Sequence, residues 1–150
     1  MRFCLIDDVL EQEEDRIVAV KNVSASEDYL ADHFPSFPVL PGVLMLEALV
    51  QAARKLLGQE GRRMVLGKVG PTRYGNFVRP GEALYVEVKL AKREEDGSVK
   101  FKGMGRVLVP GQNIADASTC VSSRFTMRPP KIGPVGVVTK VTGSSVPSGG

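Results

Sequence analysis

His33 is the only histidine in a chain of 150 residues, and Glu47 follows it in a run that is otherwise almost wholly apolar. An imidazole takes a proton near neutral pH and a carboxylic acid gives one, so the two together supply a general base and a general acid. Gly42 lies between them. Its N–H falls in the first turn of an expected helix, where it has no intrahelical partner and stands at the positive end of the dipole. Having no side chain, Gly42 lets a carbonyl oxygen approach, and charge developing on that oxygen is stabilised there. Plainer readings exist for each residue. A lone histidine can be a loop or capping residue, and Glu47, Gln51 and Arg54 can form a thin polar stripe facing solvent. Spacing alone leaves both open. Were Glu47 buried, desolvation would raise its pKa and suit it to act as an acid.

Two elements must position these groups. Pro35, Pro38 and Pro41 recur every third residue after His33; each fixes its own φ and holds the preceding residue extended, so the loop is stiff. A helix is predicted from about Pro41 to Leu57, with proline tolerated in its first turn and Gly58 as its stop. Val43, Leu44, Met45 and Leu46 make its first half apolar on all sides, which predicts burial.

Residues 3–9 and 16–23 read as short strands, with the acidic run Glu11 to Asp15 as a solvated turn between them. Residues 26–32 read as a short helical turn capped by Ser26. After residue 63 the period becomes two. Leu84, Val86, Val88 and Leu90 form one stripe, Val99, Phe101, Gly103, Gly105, Val107 and Val109 another, and Ala115, Ala117, Thr119, Val121 and Phe125 a third. Pro80-Gly81, Asp96-Gly97 and Pro110-Gly111 supply turns. The expectation is a four-strand antiparallel meander around the buried helix, the α+β arrangement called a hot dog. It occupies residues 1–128. Residues 129–150, rich in Pro, Gly and Ser, read as a flexible tail with at most one short strand at 135–141.

Composition limits the remaining possibilities. With 43% apolar and 25% charged residues the chain fits one ordinary globular domain. Cys4 and Cys120 are far apart, without the spacing of a metal site, and are expected to be buried free thiols in a reducing compartment. The apolar stretch Phe3 to Ile6 meets Asp7 and Asp8 at once, too short for a secretion signal, so a cytoplasmic location is expected. No run approaches the roughly 18 apolar residues of a membrane span. Residues 1–50 hold three basic and ten acidic groups, residues 51–150 seventeen and seven. The later part could attract an acidic partner. Its basic residues are dispersed along the chain and lack interleaved aromatics, which argues against nucleic acid.

The segment His33-Phe34-Pro35-Ser36-Phe37-Pro38-Val39-Leu40-Pro41-Gly42-Val43-Leu44-Met45-Leu46-Glu47-Ala48-Leu49-Val50-Gln51 resembles the pattern HFPGxPxxPGVLxxEAxAQ of the 3-hydroxyacyl-[acyl-carrier-protein] dehydratases of the FabZ type. The match is gap-free. Weaker similarity at Val20 to Ser24, Arg73 and Arg79-Pro80-Gly81-Glu82 extends it over residues 3 to about 127. The resemblance implies a hot-dog fold and dehydration of a (3R)-3-hydroxyacyl thioester to a trans-2-enoyl thioester. It implies His33 as base, Glu47 as acid, Gly42 as holder of the thioester carbonyl, Gln51 as the residue that orients Glu47, and Phe34, Pro41 and Val43 against substrate. It further implies an acyl carrier protein as partner, a homodimer with the site across its interface, dimers that can assemble by threes, and no metal or organic cofactor. Ser36 stands where the pattern has Gly, and Gly75, Asn76 and Phe77 replace much of the family's basic cluster. The sequence opens on the first strand, so the family's N-terminal helical segment is expected to be missing. A hot-dog thioesterase using Glu47 alone, and a non-catalytic acyl-binding subunit, are the rival expectations.

Overall fold

The computed structural model describes residues 4–24 and 39–130. Strands β1 (Asp8–Gln12) and β2 (Arg16–Asn22) form a hairpin, and helix α1 spans Gly42–Leu57. Strands β3 (Val65–Tyr74), β4 (Ala83–Arg93), β5 (Val99–Leu108) and β6 (Ser118–Arg128) follow. All six strands join one antiparallel sheet in the order β1-β2-β4-β5-β6-β3. The helix packs on β2, β4, β5 and β6, so the core lies between one sheet face and α1, as the hot-dog expectation requires.

The expected helix runs to Leu57, where Gly58 stops it at φ 64°. Pro41 is not its first residue but its cap, at ψ 143°. The Pro41 carbonyl accepts from Leu44 and Met45 N–H at 3.0 and 3.2 Å. The stripes on β4 and β5 are buried as expected from Leu84 to Val88 and from Val99 to Val107. Phe101 and Phe125 stack with ring centroids 5.5 Å apart.

Four expectations need correction. The later strands are not a four-strand meander: β4, β5 and β6 are, but β3 pairs with β6 on the far side. Its link to β4 passes beneath α1's start, where Leu40 N–H donates to the Val78 carbonyl at 2.8 Å. The acidic run is not all turn, because Glu11 and Gln12 belong to β1 and pair with Val18 and Ile17. The third stripe starts only at Val121: Ala115 lies in a 3-10 turn, and a bulge opposite Gly105 and Arg106 resets the phase. Cys4 is exposed, whereas Cys120 is buried. The helical turn at 26–32, the proline loop through residue 38 and residues 131–150 lie outside the described residues.

The thiols yield a direct test. Burial pushes the Cys120 thiol up to about 12, and the thiolate is the reactive form. A disulfide-exchange reagent is expected to titrate one thiol in the folded chain, Cys4, and a second only after denaturation. Two equally fast thiols would contradict this placement.

Candidate active site

The site is built on the first half of α1. Val43, Glu47 and Gln51 succeed one another at one-turn spacing along a face turned away from the sheet. Val43 is 68% exposed and the Glu47 side chain 42%. The helix is therefore not buried all round, as its composition suggested: Met45, Ala48, Leu49, Ala52 and Ala53 face the core, and the Val43–Glu47 face is open. This chain alone does not enclose Glu47.

Glu47 is nevertheless held. The Gln51 Nε2 donates to Glu47 Oε2 at 3.2 Å, while Gln51 Oε1 accepts from the Leu5 N–H at 2.8 Å. A backbone N–H can only donate, so it claims the amide oxygen and leaves the NH₂ for the carboxylate. The Arg54 guanidinium lies 4.0 Å from the same Oε2, too exposed to contribute much. The thin polar stripe of Glu47, Gln51 and Arg54 is thus real, and it is also an orienting device. Replacing Gln51 by Leu strands the buried Leu5 N–H and is expected to cost about 1–3 kcal/mol of stability. Urea unfolding checks this; an unchanged midpoint would contradict the role of Gln51 as a tie between Leu5 and Glu47.

At the helix start no described side chain caps α1, and no acidic residue sits in its first turn. Among the described residues the N–H groups of Gly42 and Val43 have no hydrogen-bond acceptor. Beside them is a cavity of about 230 Å³ whose lining includes Leu40, Gly42, Met45, Tyr74, Phe77 and Cys120. A Cβ at Gly42 would lie 2.9 Å from Tyr74 Cε1. The absent side chain therefore makes room for the tyrosine ring as well as for a ligand. His33 and Phe34 lie outside the described residues. The structure brings together Pro41, Gly42, Val43, Glu47 and Gln51 on one element.

Residues 1–118 match the family described as "FabA-like domain". The chain belongs to the FabA-like family. It is 44% identical over 107 residues to the 3-hydroxyacyl-[acyl-carrier-protein] dehydratase FabZ of Thermotoga neapolitana, covering 70% of this chain and 77% of that one. The FabZ of Geobacillus thermodenitrificans is 40% identical over 119 residues, covering 76% and 80%. Among solved structures, the dehydratase heterocomplex ApeI:P from Xenorhabdus doucetiae superposes with a TM-score of 0.60 at 15% identity, covering 82% of this chain and 96% of that one. A hypothetical thioesterase with coenzyme A from Streptococcus pneumoniae gives 0.60 at 11%, covering 80% and 82%. Both show the hot-dog fold and nothing finer.

Within this FabA-like chain, sequence reasoning overlooked Tyr74, Phe77 and Met45 as walls beside the helix start. Tyr74 and Phe77 are 53% and 46% exposed. They sit at the end of β3 and just beyond, where bulges erase any alternation that could have marked them. Met45 was read only as core. Among the described residues no group of three His, Cys, Asp or Glu side chains could hold a metal ion, and no helix is long and apolar enough to cross a membrane.

Proposed function

We propose that this FabA-like chain dehydrates (3R)-3-hydroxyacyl-[acyl-carrier-protein] to the trans-2-enoyl thioester in fatty acid biosynthesis, with His33 as base and Glu47 as acid. The supporting observation is the oriented carboxylate: Gln51 aims Glu47 along the same helix whose first N–H groups have no acceptor among the described residues. His33 takes the proton from C2. The charge that moves onto the thioester oxygen rests against the Gly42 N–H. The C3–O bond breaks as Glu47 gives its proton to the departing hydroxyl, and water and the C2=C3 double bond result. Phe34, Pro41 and Val43 lie against the substrate, and no cofactor takes part.

The unit is a homodimer in which His33 of one protomer meets Glu47 of the other, and three such dimers form the higher assembly. The open Val43–Glu47 face supports this, because a partner seated there supplies the burial that Glu47 lacks in one chain. Residues 1–128 form the catalytic domain, and the protein works in the cytoplasm.

The test is turnover of 3-hydroxybutyryl and 3-hydroxydecanoyl thioesters, each on carrier protein and on coenzyme A. The expected product is the conjugated enoyl thioester, with no free thiol released and the carrier-bound form preferred. Free thiol without enoyl product would make it a thioesterase, and tight binding without turnover an acyl-binding subunit. Either result would overturn the proposal.

A further inference from the structure

The basic residues that are dispersed in the sequence are gathered by strand register on the sheet face opposite α1. Lys89 of β4 is the cross-strand partner of Lys102 on β5, and Lys102 is the partner of Arg124 on β6. Partners across a ladder point to the same side. That side is outward, because Phe101 and Gly103 flank Lys102 and face the core, a Cβ at Gly103 lying 3.1 Å from Leu49 Cδ1. Like charges placed directly opposite one another destabilise a sheet. Here two such pairs stand in one row across three strands.

The row borders a cavity of about 370 Å³. Lys68, Lys100, Lys102, Arg124 and Thr126 line it, and among the described residues no carboxylate does. The neighbouring acids are already engaged. Glu87 binds Arg16, and Glu94 bridges Lys92 and Lys100 at 3.9 and 3.3 Å. Among the described residues Lys68, Lys89, Lys102 and Arg124 have no ion-pair partner. Several uncompensated cations around one concavity form a positive field that only an anion relieves. The size of the concavity selects a small molecule over a macromolecular face, since such sites begin at about 300 Å³. Strands run about 4.8 Å apart, so cations on adjacent strands suit a ligand with charge on more than one group. The Arg124 fork can hold two oxygens of one such group and the lysines act as point charges on the next.

We infer that this outer-face cavity, bounded by Lys68, Lys102 and Arg124, binds a small phosphoanion carrying at least two phosphoryl groups. The site lies across the sheet from Glu47 and does not depend on the chemistry assigned there.

Calorimetric titration of the full-length protein with inorganic pyrophosphate and with ADP, at constant ionic strength, tests this. One pyrophosphate per protomer is expected. Lys102→Gln and Arg124→Gln are each expected to weaken binding by about tenfold or more, the worth of a charged hydrogen bond. Both residues are exposed, and their replacement relieves like-charge pairs, so the variants should melt no lower than wild type. Lys68→Gln, outside the row, provides an independent variant. Glu47→Gln is expected to bind as wild type. Tighter ADP binding assigns the phosphoryl groups to a nucleotide and tighter pyrophosphate binding to a free inorganic anion; both keep the site. No heat beyond that of added potassium chloride, or affinity unchanged in all three cation variants, overturns it.

Discussion

Glu47→Gln is expected to lower the rate of enoyl formation by about 10²–10⁴-fold, the usual worth of a positioned acid or base. The amide keeps the shape of the carboxyl and can still accept from Gln51 Nε2, so the helix face is preserved. What it loses is a transferable proton. The drop should therefore fall on kcat more than on KM, and the melting temperature should stay close to that of wild type. Steady-state kinetics on a carrier-bound substrate read the first and a thermal melt the second. Full activity in this variant would remove Glu47 from the chemistry. His33→Ala should lower the rate by a similar factor.

The second large effect is on stability. Leu49 is fully buried, two residues beyond Glu47, and rests on β5 where Gly103 offers no side chain. Leu49→Ala removes that contact from a place where sheet and helix are already in close approach, so the void cannot readily collapse. A cost of about 2–5 kcal/mol is expected, large against the about 5–15 kcal/mol that holds a domain folded. Urea unfolding should show a lowered midpoint at unchanged slope. A cost below about 0.5 kcal/mol, the level of an ordinary surface change, would contradict the account of how α1 is seated.

These two residues show what the sequence discloses. The helix was legible because its punctuation is local: prolines before it, a glycine after it and an apolar run between. The stripes of β4 and β5 were legible because alternation in half-buried strands is also local. The place of β3 was not, since most of its residues are exposed and its partner β6 lies beyond two intervening strands. The edge strand β1 hid its nature in acidic residues; Glu11, for example, is paired with Arg16. The expected all-round burial of α1 failed for a different reason. Composition could show that α1 is apolar nearly all round, yet it could not say which part of that surface this chain covers itself. The Gln51 amide, tied to Leu5 far away in sequence, was implied by the family resemblance, and its hydrogen bonds became visible only in the fold.

The central claim is a dehydration site assembled from two protomers, with His33 from one and Glu47 from the other. Co-expression of His33→Ala with Glu47→Gln tests it. Each mixed dimer would hold one site with both groups lost and one with both intact. With random pairing, about a quarter of wild-type activity should return. A mixture no more active than either variant alone would contradict the shared site.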